Sequence, residues 1–209
     1  MPVARKGDAI IIGTGTTAAG GGIAAGKNTT TASGTFSFAS GDNSKATNLY
    51  SFASGLDNTA AGHSSFALGY GNKTGFGNDA LYSGWHSMAL GFMNQSKGVV
   101  SMTLGSQNIA NNDFSVAVGH QNRTWRYGQT VVGRFNKIET QPTAPDTQPT
   151  NQSSLLETDE VFVVGGGSAN DARKNVMVVK ASGETTILGP VILQGSAVTG
   201  DIPIFVPTP

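Results

Sequence analysis

The sequence predicts an all-β solenoid, and three observations carry that prediction. A five-residue phrase recurs at near-constant spacing, bulky and small residues alternate within it, and a turn-forming Asn follows it at a fixed distance. The phrase reads Ser, then Phe, Met or Val, then usually Ala, then Ser, Leu or Val, then Gly. Its copies are Ser37-Phe-Ala-Ser-Gly41, Ser51-Phe-Ala-Ser-Gly55, Ser65-Phe-Ala-Leu-Gly69, Ser87-Met-Ala-Leu-Gly91, Ser101-Met-Thr-Leu-Gly105 and Ser115-Val-Ala-Val-Gly119, with a degenerate Gln129-Thr-Val-Val-Gly133. The glycines step by 14, 14, 22, 14, 14 and 14 residues. A fixed step this short means coils of about 14 residues that stack on their neighbours.

Each phrase is a short strand, because the alternation of Phe66 and Leu68 with Ser65, Ala67 and Gly69 is the period-2 pattern of two unlike faces. Three residues past the phrase glycine stand Asn58, Asn72, Asn94, Asn108, Asn122 and Asn136, turn residues able to stack as a side-chain ladder. Seven past it stand Asn48, Gly62, Gly98 and Asn112, residue types that tolerate the left-handed backbone region. Two corners in each coil leave room for two strands of about five residues and a thin core. Phe38, Phe52, Phe66, Met88, Met102 and Val116, with Leu68, Leu90, Leu104 and Val118, are expected to fill that core. Ala39, Ala53, Ala67, Ala89 and Ala117 are expected to face a neighbouring chain or another layer, where a small side chain permits close approach.

Thin coils bury little by stacking alone, so the roll is expected to be an oligomer. The phrase resembles the Ser-Val-Ala-Ile-Gly repeat of trimeric autotransporter adhesin heads and of phage fibres that carry the same repeat. What the resemblance implies is a left-handed parallel β-roll and a homotrimer; handedness and the number three come from the family.

In chain order, residues 1–34 read as a Gly-rich segment with irregular first coils around Gly13, Gly26 and Asn28. The run Ile12-Gly-Thr-Gly-Thr-Thr-Ala18 matches a loose dinucleotide fingerprint, but no helix-forming sequence or βαβ alternation follows it. The apolar run Ala9-Ile-Ile-Ile12 is too short for a secretory leader or a membrane span, and no later run qualifies. The expectation is therefore no membrane insertion and a particle assembled inside a cell.

Residues 35–139 are the β-roll. The 22-residue step between Gly69 and Gly91 holds an inserted bulge near Gly75–Trp85. Loops leaving a rigid scaffold carry binding residues, so Tyr82, Trp85 and His86 are candidates for contact with a partner or glycan. In the alternative reading Phe76, Leu81 and Trp85 cap a break in the stack. Arg123-Thr-Trp-Arg-Tyr127 is the densest polar-aromatic cluster, and Trp125, Arg126 and Tyr127 are candidates of the same kind. The other reading of this cluster is that it closes the end of the roll. Asn72, Asn94 and Asn122 open glycosylation sequons, yet the repeat already accounts for each.

Residues 140–156 are rich in Pro, Thr and Gln and read as a linker or wrapping arm. Residues 157–209 read as a small β region with an extended tail, built on Glu160-Val-Phe-Val-Val-Gly165, Val176-Met-Val-Val-Lys180 and Thr185-Thr-Ile-Leu-Gly189. This stretch resembles a segment of phage tail fibres and spikes. Phe162, Gly165, Arg173, Asn175, Lys180 and Gly183 carry the match.

Composition fits an extended structural protein. Only 12% of the residues are charged, against about 25% in ordinary globular chains. Formal net charge is zero, so no overall basic field marks a nucleic-acid partner. Cysteine is absent, which excludes disulfides and thiolate metal sites. His63, His86 and His120 share no ligand spacing, and Asp57, Asp79 and Asp113 fall in turns without a recurring partner. No catalytic residue, metal or cofactor is expected. The sequence reads as a structural, non-enzymatic trimeric fibre of a phage or phage-like particle. Its partners would be other particle proteins and a host-surface glycan or protein receptor, and its location the virion. The alternatives are the head of a bacterial cell-surface autotransporter adhesin, or a polysaccharide-degrading spike.

Overall fold

The structure, a computed structural model, describes residues 3–6, 9–28, 30–31, 35–75, 84–137 and 157–189. Among them there is no helix, only strands, numbered here in chain order. The long strands are β1 (Val3–Lys6), β2 (Ala9–Thr14), β3 (Ile23–Lys27), β5 (Phe38–Asp42), β7 (Phe52–Leu56), β9 (Phe66–Tyr70), β11 (Met88–Phe92), β13 (Met102–Ser106), β15 (Val116–His120) and β17 (Thr130–Arg134). The two-residue strands β4 (Thr30–Thr31), β6 (Lys45–Ala46), β8 (Thr59–Ala60), β10 (Lys73–Thr74), β12 (Gln95–Ser96), β14 (Ile109–Ala110) and β16 (Arg123–Thr124) alternate with them. After them come β18 (Glu160–Gly166), β19 (Asn175–Lys180) and β20 (Thr185–Ile187).

The long strands form a 13-stranded sheet and the short ones a 7-stranded sheet, and each coil from β3 to β16 contributes one rung to each. The protein is thus an all-β parallel solenoid. The coil holds strands of five and two residues rather than two of five, because the second corner takes up the remaining length.

Register follows the phrase without slippage. Gly13, Gly26, Gly41, Gly55, Gly69, Gly91, Gly105, Gly119, Gly133 and Gly165 pair in sequence along the sheet. Close stacking imposes the glycine: a Cβ on Gly105 would lie 2.2 Å from the carbonyl oxygen of Gly119, and its φ is 115°. The phrase serine locks the preceding corner. Ser65 Oγ donates to the Gly62 carbonyl at 2.7 Å, and Ser101 Oγ to that of Gly98 at 2.7 Å. The eight steps from Gly13 to Gly133 correspond to a stack of about 40 Å at ~4.8 Å per rung.

The expected Asn ladder is present and buried. Asn94 donates through Nδ2 to the carbonyls of Leu90 and Gly105, both at 2.8 Å, while its Oδ1 accepts from the N–H of Asn108 at 2.9 Å. Asn72, Asn94 and Asn122 are fully buried in these bonds, which leaves no accessible sequon asparagine among the three.

The expected assignment of the two strand faces is overturned. Ala39, Ala53, Ala67, Ala89 and Ala117 are fully buried inside the roll, and Thr103 and Val131 take the same place in their coils. Ala39, Ala53 and Ala67 pack directly against Ala46 and Ala60 of the short strands. The interior is filled by methyl groups and by the bonded Ser and Asn side chains, and a two-residue strand closes it too tightly for a Phe or Leu. The bulky residues therefore project outward: Leu68 and Leu104 are 41% and 43% exposed.

The left-handed positions also differ from expectation. Asn48 and Asn112 do not adopt positive φ; Tyr50, Ser64, Val100 and Phe114, two residues beyond the expected sites, do. Gly62 and Gly98 are needed for space instead, since a Cβ would lie 1.9 Å from the Gly84 oxygen and 2.1 Å from the Asn112 oxygen respectively.

Antiparallel strands finish both ends of the parallel stack, β1 on β2 and β19 on β18. Residues 140–156, expected as a linker, lie outside the described residues. Beyond them β18 joins the same sheet, with Val163 paired to Val131 and buried like it. Arg173 ties this end together. Its Nη1 donates to the carbonyls of Gln121 at 2.8 Å and Asn136 at 3.3 Å, its Nη2 donates to Asn170 Oδ1, and it lies over the Phe135 ring. Burial, and then the neighbouring Arg123 charge, lower its pKa from the usual guanidinium value.

Candidate functional site

The outward face of the long sheet is an apolar surface built directly by the repeat. Each phrase sends its second and fourth residues out, and parallel register stacks them into two columns. In the first, Phe38, Phe52 and Phe66 stack with ring centroids 5.0 and 4.4 Å apart, and Met88, Met102 and Val116 continue the column. In the second, Ser40 and Ser54 share a 2.7 Å hydrogen bond, followed by Leu68, Leu90, Leu104, Val118 and Val132. These two columns carry no ionisable side chain from Phe38 to Val118, with Asp42 and Tyr70 at the ends of β5 and β9 beyond them, and they suit burial against protein.

The corner between each short strand and the next phrase gathers aromatic residues. Phe36 stacks on Tyr50 at 5.8 Å, Tyr50 meets the His63 ring edge-on at 5.7 Å, and His63 packs with Trp85 at 5.3 Å and with His86 at 5.8 Å. Sequence spacing kept His63 and His86 apart, because the 22-residue step hides that they occupy consecutive coils. Among the described residues no cluster of His, Asp and Glu could hold a metal ion.

Of the sequence-derived candidates, Tyr82 lies outside the described residues, as do Phe76 and Leu81. Trp85 and His86 lie on the aromatic corner, Trp85 half-buried and His86 exposed. The stack does not break at the insertion: Phe66 pairs with Met88 and Gly69 with Gly91 across it. At the far end, Arg123 and Thr124 form the last rung of the short sheet. Tyr127 packs on Phe114 at 5.3 Å, Arg126 pairs with Asp159 at 3.4 Å, and the Trp125 backbone N–H donates to Gln129 Oε1 at 2.8 Å. Trp85 and Tyr127 occupy the same corner position three coils apart, about 14 Å along the axis. The two candidate groups thus share one edge of the roll.

A uniform stack of short coils, small residues within and an apolar face without, defines a parallel β-solenoid. Part of this stack is similar to the repeats of a known family. The pattern described as the YadA head domain repeat (2 copies) matches residues 24–44, 32–58, 46–72 and 101–122, roughly a third of the chain. Coils outside those matches, such as the one holding β11, keep the same register. Comparisons with curated proteins and with solved structures give no significant match.

Proposed function

We propose that this chain is the head of a non-enzymatic, homotrimeric adhesive fibre whose copies meet through the outward face of the long sheet. The observation that carries the reading is the Phe38, Phe52 and Phe66 ladder with its Met and Leu continuation, which faces away from the interior of its own coil. Covering it removes a contiguous apolar surface from water, and a closed rotational assembly does so without leaving an edge. Sedimentation equilibrium tests this. A mass three times 21.4 kDa is expected, and a stable folded monomer at micromolar concentration overturns it.

We further place the fibre on a phage or phage-like particle, where it contacts a host surface together with other particle proteins. The resemblance of the Phe162 to Gly183 stretch to phage fibres supports that setting. The head repeats support equally a second reading, an adhesin displayed on a bacterial cell surface. Mass spectrometry of purified particles and of outer-membrane fractions decides between them: the chain is expected in the particles, and its recovery in the membrane fraction selects the adhesin.

A further inference from the structure

Along one corner of the roll, bulky side chains occupy a backbone conformation that is unfavourable for them. Between each short strand and the next phrase, Phe36, Tyr50, Ser64, His86, Val100 and Phe114 have φ of 52° to 60°. Consecutive coils bring them into one row: the Tyr50 N–H donates to the Thr35 carbonyl at 3.2 Å, that of His86 to the His63 carbonyl at 2.8 Å and that of Phe114 to the Val99 carbonyl at 2.8 Å. Glycine ends the row on both sides, Gly21 and Gly128, where the same region carries little strain. The fold thus imposes the conformation but not the bulk. At the opposite corner, after each phrase glycine, the left-handed region is filled mainly by Asn28, Asn43, Asp57, Gln107 and Gln121, with Met93 and Phe135 the bulky exceptions. On the aromatic row Phe36 is 65%, Tyr50 55%, Phe114 49% and Val100 44% exposed, so burial in the roll does not offset the strain.

Shape and charge narrow what this ridge fits. From Phe36 to Phe114 it runs five steps of ~4.8 Å, about 24 Å, and it is two side chains wide. That is roughly 250 Å², well short of the ~800 Å² per partner of a standard protein interface. The backbone N–H groups of the row are already bonded from coil to coil, so an extended peptide has no sheet edge to join here. The ridge pairs, from Thr35 and Phe36 to Asp113 and Phe114, include no Lys, Arg or Glu, and Oδ1 of the one acid, Asp113, accepts the Val99 N–H at 2.7 Å. A polyelectrolyte finds no counter-charge on it.

We propose that this corner is a platform for a linear neutral polysaccharide, the C–H faces of its sugars lying on the exposed rings and its hydroxyls reaching Tyr50 and His86. An aromatic ring presents a negative face to polarised C–H groups and holds them without formal charge. An extended pyranose chain advances about one rung, ~4.8 Å, per sugar, so sugars and coils keep step. The proposal rests on the adhesive reading above and names its ligand class. It does not require the trimer: a monomer that binds leaves it standing, and a trimer that binds no neutral polymer overturns it alone.

The test measures binding of the full chain to β-glucan, galactan and mannan, with heparin as the acidic comparison. Binding to at least one neutral polymer is expected, and raised salt should leave it unchanged. Combining Phe36→Asn, Tyr50→Asn and Phe114→Asn is expected to weaken that binding about tenfold or more. The thermal midpoint of the same variant should hold or rise, because Asn accepts the left-handed region. Met93→Asn makes the same kind of change at the opposite corner and should leave binding intact, as should Tyr50→Phe. Tyr50→Asn alone replaces the triple variant if that variant does not fold. No binding of any neutral polymer, tighter binding of heparin than of all three, or undiminished binding by the folded Asn variant would each overturn the proposal.

Discussion

Asn72 donates to Asn58 Oδ1 twice, through its backbone N–H at 2.9 Å and through its side-chain Nδ2 at 3.1 Å. One amide oxygen thus satisfies two donors of the next coil, and the same arrangement recurs from Asn72 to Asn94 and from Asn94 to Asn108. Buried polar groups tied into a row in this way give each rung a unique position along the stack.

Breaking one rung of the row leaves its neighbours unpaired. Asn94→Leu removes the partner of the Leu90 and Gly105 carbonyls and of the Asn108 N–H, and is expected to cost about 3 to 5 kcal/mol in denaturant unfolding. Asn94→Asp is expected to show a pH dependence. Its new carboxyl would be buried against two carbonyl oxygens, so its pKa is raised in the folded state. The variant should be most stable below the ordinary carboxylate range and lose stability as pH rises through the raised value. Thermal unfolding from acid to neutral pH checks the sign.

Two glycines with positive φ separate crowding from backbone strain. Gly105→Ala places a Cβ 2.2 Å from the Gly119 oxygen and is expected to cost about 3 kcal/mol or more. Around Gly128 a Cβ meets nothing within 4 Å, so Gly128→Ala should cost only the strain of its φ of 64°, about 1 kcal/mol. Equal losses in thermal unfolding would contradict the stacking account.

Face assignment gives an opposed pair. Ala89 is fully buried in the roll, so Ala89→Leu overpacks an interior of methyl groups and is expected to cost about 3 kcal/mol or more in unfolding. Leu90 points outward, so Leu90→Ala should leave the circular dichroism of the roll intact while weakening self-association in sedimentation. The reverse pattern would place the Phe and Leu columns inside.

At the C-terminal end, Arg173→Lys cannot reproduce the fork that reaches the Gln121 and Asn136 carbonyls together. Hydrogen exchange is expected to rise about tenfold or more in β19 while the coils around β11 stay protected. Uniform loss of protection would show that β18 to β20 unfold only with the whole roll.

The period, the long strand of each coil, the Asn ladder and the rung register were legible because each is imposed by a residue type that stacking makes obligatory, such as Gly105 beneath Gly119. The direction of the faces was not. Alternation of Phe66 with Ala67 establishes that they point opposite ways, and only the width of the coil decides which is inside. The left-handed corners escaped for a different reason: Tyr50, Val100 and Phe114 are residue types rarely associated with positive φ, so their sequence carries no turn signal. Trp85 and His86 were visible as an isolated pair. Their contact with His63 depends on the insertion being excluded from the coil, which sequence distance cannot reveal.

Gly69 pairs with Gly91 across 22 residues and Gly133 with Gly165 across 32, yet neither step shifts the sheet by more than one rung. Length along the stack is therefore metered by the number of phrase glycines and not by chain length. A duplicated coil would extend the molecule by ~4.8 Å and leave the chemistry of both ends untouched. A corner loop, conversely, is free to lengthen or change its sequence without resetting the gauge. The architecture separates the length of the stack from the side chains its corners carry, and each can diversify alone.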